Sequence, residues 1–136
     1  MAVAPIHQVK NVLDYATSVI ASEKILMGVT LYGYDWPIPW RKGLRAASLS
    51  NNSAQNLAIN EKSPIRFDPV SASPNFEYTN GSQSHQVWFD DALSISAKFS
   101  LIDEYQLRGL SWWVLGNSFP QGIYLMSDVF NIRKVF

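Results

Sequence analysis

Two short apolar segments that end in aromatic residues constrain the fold of this chain most. They are residues 28–36, with the sequence GVTLYGYDW, and residues 109–116, with the sequence GLSWWVLG. Short apolar runs of this kind are typical of parallel strands buried on both faces. The carboxyl ends of such strands open onto ligand sites. We therefore predict two parallel strands with tyrosine and tryptophan side chains gathered at one edge.

Aromatic side chains at strand ends suit a sugar ligand. A pyranose ring offers a flat C–H face to an aromatic ring, and its hydroxyl groups can hydrogen-bond to phenol or carboxylate groups. A carbohydrate is therefore the first hypothesis for the ligand.

Composition excludes several other classes of partner. The 136 residues are enough for one domain, and the 11 basic and 11 acidic residues cancel, which argues against nucleic acid and anionic membranes. No window approaches the roughly 18 apolar residues of a membrane span, and residues 1–7 lack the features of a secretory signal. The absence of cysteine excludes disulfides and thiolate metal sites, and His7 and His85 have no carboxylate at ligand spacing. We expect no metal and no cofactor.

The spacing of apolar residues predicts alternating helices and strands at both ends of the chain. A helix over residues 6–20 is followed by a strand over residues 25–32. A second helix starts at Asp90 or Asp91 and ends near Gly109, which suits a C-terminal cap, and a strand then begins at Leu110. A last helix follows Pro120.

The middle of the chain has a different pattern. Pro37, Pro39 and Gly43 break regular structure, and Ser50 or Asn51 can cap a short helix that ends near Ile59. Short alternating runs follow at residues 65–68, 76–79 and 86–89, and Asn80-Gly81 favours an antiparallel hairpin. We predict an α+β insertion over residues 37–89, between segments 1–36 and 90–136.

Without the insertion, the order is helix, strand, helix, strand, helix, which is typical of a parallel α/β architecture. Two buried parallel strands cannot form a stable sheet alone, and a complete (β/α)₈ barrel needs about 250 residues. The predicted fold class is α/β, as a portion of such a barrel.

Three motifs together resemble the C-terminal part of family 18 glycoside hydrolases, the chitinase-like barrels. The motifs are LMGVTLYGYDW, then VWFDD with Ser94 and Lys98, then GLSWWVLG. Within that family the chain is most similar to bacterial spore-cortex-lytic N-acetylglucosaminidases, which act on spore peptidoglycan. The resemblance implies that the two strands are barrel strands seven and eight, and that a glycan containing N-acetylglucosamine and the N-terminal part of the barrel are the partners.

The resemblance also implies roles for single residues. Tyr32 and Tyr34 match positions that face the sugar beside the scissile bond, although many chitinases have an arginine where Tyr34 stands. Trp113 matches the tryptophan that forms the floor under that sugar. Trp112 then faces the helices, because neighbouring strand side chains point to opposite faces.

Other candidates follow from residue type. Asp35 could hydrogen-bond a sugar hydroxyl or cap a turn. Trp36, Trp40 and Trp88 lie in or near predicted loops, where they could line a groove or cover the insertion. The candidate substrate-binding residues are Tyr32, Tyr34, Asp35, Trp36 and Trp113.

The resemblance implies that no catalytic residue lies in this chain. The family signature DxxDxDxE supplies a glutamic acid that protonates the leaving oxygen, while the acetamido group of the substrate acts as nucleophile. None of the 11 acidic residues has that spacing, so we expect the chain alone to be inactive. Asp90-Asp91, Ser94 and Lys98 match a motif that is structural in the family. The alternatives are a non-catalytic carbohydrate-binding relative and a small interaction domain.

Overall fold

The structure, a computed structural model, describes residues 1–133. This range contains four α-helices, one short 3₁₀ turn at Ser22–Lys24, and seven strands. In chain order they are α1 (Ile6–Val19), β1 (Leu26–Thr30), β2 (Tyr32–Ile38), β3 (Ala47–Ser50), α2 (Asn51–Asn60), β4 (Arg66–Asp68), β5 (Ser73–Asn80), β6 (Gln83–Trp88), α3 (Ala92–Glu104), β7 (Gly109–Trp113) and α4 (Pro120–Val129).

A two-stranded parallel sheet joins the two ends of the chain. β1 pairs with β7 from Leu26 opposite Gly109 to Thr30 opposite Trp113, as predicted. One face of β1 is buried through Met27 and Val29, which pack in a core with side chains of α1 and α3. The prediction that both faces are buried is wrong within residues 1–133, because Leu26 and Gly28 on the other face are exposed.

The chain passes from one sheet to the other at Leu31. We expected a single strand over residues 25–32, but β1 ends at Thr30 and β2 begins at Tyr32 in an antiparallel sheet. The backbone N–H of Leu31 still donates to the carbonyl of Trp113 at 2.6 Å. The change of sheet therefore occurs directly beside the end of β7. The division into segments 1–36, 37–89 and 90–136 stays a prediction, and residues 134–136 lie outside the described residues.

The second sheet has five antiparallel strands in the order β3-β2-β6-β5-β4. α2 covers one face, where Ala54 and Ala58 pack in a core with Phe76, Val87 and Phe89. The predicted hairpin at Asn80-Gly81 is confirmed, since Asn80 pairs with Gln83 across a two-residue loop.

Pro37 does not break regular structure as we expected, because β2 continues to Ile38. β3 pairs with β2 only as far as Asp35, so Pro37 lies where the strand has a partner on one side alone. A proline needs no donor on the unpaired side of an edge strand.

The helices begin at the predicted residues. The Ser50 hydroxyl accepts from the N–H of Ser53 at 3.1 Å at the start of α2. Asp91 and Ser94 form a reciprocal capping box at the start of α3. The end of α3 differs from the prediction: it ends at Glu104, and Gln106, with φ 53°, takes the left-handed conformation. Gly109 is the first residue of β7 instead of the helix cap.

A buried ion pair lies between α3 and the end of β1. Lys98 donates to Asp90, and each side chain is about 2–3% exposed. Asp90 also accepts from the hydroxyl of Thr30, and its N–H donates to Asn51 at 3.2 Å. The motif residues Asp90 and Lys98 therefore tie α3 to β1 and α2.

Apolar surface remains uncovered along β1. α1 and β1 line a hollow of about 390 Å³, mostly with apolar side chains. In residues 1–133, no helix combines the length and apolar character that crossing a bilayer requires.

Lys98→Met should lower the free energy of unfolding by about 3 kcal/mol or more, because it leaves the buried Asp90 carboxylate without its cation. Lys10→Met is the matched control, since it breaks an exposed pair with Glu104 and should cost less than about 1 kcal/mol. Urea denaturation followed by tryptophan fluorescence measures both changes. Equal losses in the two variants would contradict a structural role for the buried pair.

Gly33→Ala should destabilise the chain by about 1–3 kcal/mol, because the added methyl group overpacks a closed contact. A Cβ at Gly33 would lie 2.6 Å from Cβ of Phe89 and would collide with the Trp88 carbonyl. Gly28→Ala is the control, since nothing lies within 4 Å of a Cβ there. Thermal unfolding of the two variants gives the comparison, and an unchanged transition in Gly33→Ala would show that β2 and β6 are less closely packed.

Candidate functional site

A row of three aromatic rings follows one face of β2 from the end of β1. The ring centroids of Tyr32 and Tyr34 are 5.6 Å apart, and those of Tyr34 and Trp36 are 5.8 Å apart, both edge to face. Alternate residues of a strand share a face. The period of two in YGYDW therefore places three predicted site residues together.

Trp113 lies beside the start of this row. It is opposite Thr30 in the sheet register, and its carbonyl accepts from Leu31, the residue before Tyr32. Its side chain is 64% exposed. An exposed indole next to two half-buried phenol rings offers flat apolar surfaces to a ligand.

Trp112 points to the other face of β7, as predicted. Its ring contacts Phe99 of α3 edge to face at a centroid distance of 5.9 Å. Its Nε1–H donates to the sulfur of Met126 in α4 at 3.3 Å. Trp112 therefore belongs to the core between the sheet and the helices.

The buried group Thr30–Asp90–Lys98 lies beneath the start of the row. Burial raises the pKa of Tyr32, and the nearby Tyr34 and the Asp90 carboxylate raise it further. The phenol of Tyr32 therefore stays protonated and can donate a hydrogen bond well above neutral pH.

Asp35 is not part of the aromatic row. It lies on the opposite face of β2, where one carboxylate oxygen accepts from the Tyr78 hydroxyl at 2.6 Å and the other lies 2.8 Å from Nδ1 of His85. Burial and this hydrogen bond raise the pKa of Tyr78. The rings of Tyr78 and His85 are stacked at 4.9 Å. Asp35 thus has two partners within the antiparallel sheet.

The remaining tryptophans lie in or close to loops, two of them near the ends of strands. Trp36 and Trp88 lie within strands β2 and β6, and only Trp40 lies in a loop. Trp88 is directly opposite Tyr34, so it shares the face of the aromatic row. Trp36, Ile38 and Trp40 line a hollow of about 330 Å³ with Met1 and Gln86.

Several polar residues on the same sheet face were not identified as site candidates from the sequence. The strand register places Gln86 of β6, and Glu77 and Asn75 of β5, on the same sheet face as Tyr34 and Trp36. The sequence signal was present in the alternation of the two strands, but polar strand residues did not stand out as site candidates. Among residues 1–133, no cluster of three or more His, Cys, Asp or Glu side chains could hold a metal ion.

The sequence profile of glycosyl hydrolases family 18 matches residues 3–117. The chain belongs to this family. Its fold is the C-terminal part of the (β/α)₈ barrel of family 18 chitinases, and β1 and β7 are parallel strands of that barrel.

Similar proteins include enzymes of Bacillus species and bacterial chitinases. The cortical fragment-lytic enzyme of Bacillus subtilis (strain 168) is 45% identical over 135 residues, which cover 98% of this chain and 31% of that protein. The structure of the spore cortex-lytic enzyme SleL of Bacillus megaterium matches with a TM-score of 0.95 and 46% identity over 100% of this chain and 32% of that one. The chitinase of Chromobacterium violaceum has a TM-score of 0.86 at 28% identity, covering 98% of this chain and 41% of that one. The chain thus spans about a third of the length of these relatives.

Trp112→Ala and Trp113→Ala should separate core packing from surface exposure. Removing Trp112 should cost about 3 kcal/mol of unfolding free energy, because its ring is packed between α3 and α4. Removing the exposed Trp113 should change stability by less than about 0.5 kcal/mol. Urea denaturation measures both, and a loss in Trp113→Ala as large as in Trp112→Ala would show that its ring is a packing group in this chain.

Proposed function

We propose that this chain forms part of the glycan-binding cleft of a glycoside hydrolase that cleaves a polymer containing N-acetylglucosamine, namely spore or cell-wall peptidoglycan or a chitin-like chain. The observation that carries the proposal is the row Tyr32–Tyr34–Trp36 beside the exposed Trp113 at the carboxyl ends of two parallel strands. Family membership and the named activities of the Bacillus relatives support it. The protein would then act at the spore cortex or the cell wall.

Trp113 and Tyr32 would hold the sugar at the scissile bond. The indole of Trp113 would stack on the apolar face of the pyranose ring, and the neutral phenol of Tyr32 would donate to an oxygen of the same sugar. Tyr34 and Trp36 would contact the neighbouring sugars of the glycan. Asp35 would not contact the sugar. It would hold β2 in place through its contacts with Tyr78 and His85.

The chemical step needs an acid that this chain does not contain. Hydrolysis by substrate-assisted retention requires a glutamic acid to protonate the leaving oxygen, while the acetamido group attacks the anomeric carbon. The acid would come from the N-terminal part of the barrel, which would also cover the exposed face of β1. The alternative is a non-catalytic carbohydrate-binding protein, favoured by the absence of the DxxDxDxE spacing from these 136 residues.

A hybrid enzyme tests the proposal. In the hybrid, this chain replaces the matching C-terminal part of the Bacillus subtilis cortical fragment-lytic enzyme. We expect the hybrid to release reducing sugar from peptidoglycan fragments or N-acetylglucosamine oligomers, and the chain alone to release none. A folded hybrid that hydrolyses neither substrate would contradict the proposal and favour the binding protein.

Trp113→Ala in the hybrid should weaken binding of N-acetylglucosamine oligomers by about 1–3 kcal/mol, on the scale of aromatic stacking against nucleic-acid bases. Tyr124→Ala is the control, since it removes another highly exposed aromatic ring, in α4. Calorimetric titration gives both affinities. Equal affinity of Trp113→Ala and the parent hybrid would remove Trp113 from the site.

A further inference from the structure

The hollow of about 330 Å³ lies at the end of the aromatic row that is farther from β7. Trp36 belongs both to the row and to the hollow. Trp40, on the other side, is 59% exposed. The hollow therefore extends the row of aromatic surfaces beyond the barrel strands and onto the insertion.

A basic loop follows Trp40 directly. We use this name for residues 41–45, with the sequence RKGLR. The N–H of Leu44 donates to the carbonyl of Arg41 at 3.0 Å, which closes a turn. β3 then begins at Ala47, opposite Asp35. The loop therefore leaves β2 after the hollow and returns to it one residue from Trp36.

Within residues 1–133, no ion pair neutralises the charges of the basic loop. Arg41, Lys42 and Arg45 are exposed, and residues 36–60 contain no acidic residue although the whole chain has a net charge of zero. The three ion pairs of the described residues involve Lys10, His85 and Lys98. The three cations therefore have no ion-pair partner among residues 1–133. They lie within the five residues that follow Trp40, which lines the apolar hollow, and arginine in particular matches the geometry of a carboxylate.

We propose that the hollow and the basic loop bind an acidic group carried by the glycan. A sugar ring of the glycan would lie on Trp36 and Trp40. The carboxylate of a lactyl ether on that sugar, or of a peptide attached to the lactyl group, would pair with the basic loop. This inference rests on the proposed function and specifies its substrate, because a neutral polymer of N-acetylglucosamine offers the basic loop no charge. The preferred substrate is therefore an acidic peptidoglycan strand.

The test compares three substrates of the hybrid enzyme defined above. They are a peptidoglycan strand with free carboxylates, the same strand with its carboxylates amidated, and a neutral N-acetylglucosamine tetramer. We expect kcat/KM to be about fivefold higher for the free acid than for the amidated strand, as expected for exposed charge pairs. The ratio of kcat/KM for the free acid to kcat/KM for the amidated strand should fall as salt is added.

Matched variants assign the preference to the basic loop. The triple variant R41Q/K42Q/R45Q should bring the ratio to about one. The control K24Q/K62Q/R108Q removes the same charge at exposed positions elsewhere and should leave the ratio unchanged. Trp40→Ala should raise KM for both strands and leave their ratio near that of the parent, because it removes the stacking surface and no charge.

Each result decides between the two proposals. Equal kcat/KM for free and amidated strands, or a preference that survives the triple variant, would overturn this inference while hydrolysis of the strands upholds the proposed function. An unaffected KM in Trp40→Ala would show that the hollow is closed to glycan, as it would be if another segment of the protein filled it. A folded hybrid that cleaves none of the three substrates would overturn both proposals.

Discussion

The parallel pairing of β1 with β7 is the contact on which the rest of this structure depends. It brings Thr30 opposite Trp113, residues far apart in the chain, and it aligns the carboxyl ends of both strands. Without this pairing, no other contact described here would bring Tyr32 close to Trp113. The pairing also creates the floor on which α3 and α4 pack, through Val29 on one strand and Trp112 on the other. A single set of backbone hydrogen bonds therefore organises both the core and the candidate site.

The change of sheet at Leu31 places the aromatic row of β2 directly after this pairing. Leu31 is buried and donates to Trp113 at 2.6 Å, so the chain leaves the barrel sheet at a fixed point and direction. β2 then carries Tyr32, Tyr34 and Trp36 away from the barrel on one face. Gly33 allows this, because its missing side chain lets β2 lie against Phe89. The antiparallel sheet thus continues directly from barrel strand β1, and one buried backbone contact fixes the point where β2 begins.

The helices, the hairpin at Asn80-Gly81 and the parallel strands could be predicted from the sequence, because each has a local signal. Ser50 and Asp91 are good N-caps, and Asn80-Gly81 suits a tight turn. Pro37 was misleading: it indicated a break, but β2 continues through it to Ile38, because its place at the edge of the sheet needs no donor. The partners of Asp35 could not be predicted, because Tyr78 and His85 meet it only through the register of three strands. The resemblance to family 18 supplied the roles of Tyr32 and Trp113, which strand patterns alone left open.

Burial divides the polar groups near the site into two kinds. Asp90 and Lys98 are removed from solvent and neutralise each other beneath Thr30, so they act on the site by holding β1, α2 and α3 in place. Burial raises the pKa of Tyr32, and Tyr34 and the Asp90 carboxylate raise it further, so its phenol stays protonated. A neutral hydroxyl is a better partner for sugar oxygens than a phenolate, because it can donate as well as accept. The neutral phenol of Tyr32 thus lies near β7, and the cations of the basic loop follow the far end of the aromatic row, so the two ends of the row differ in charge.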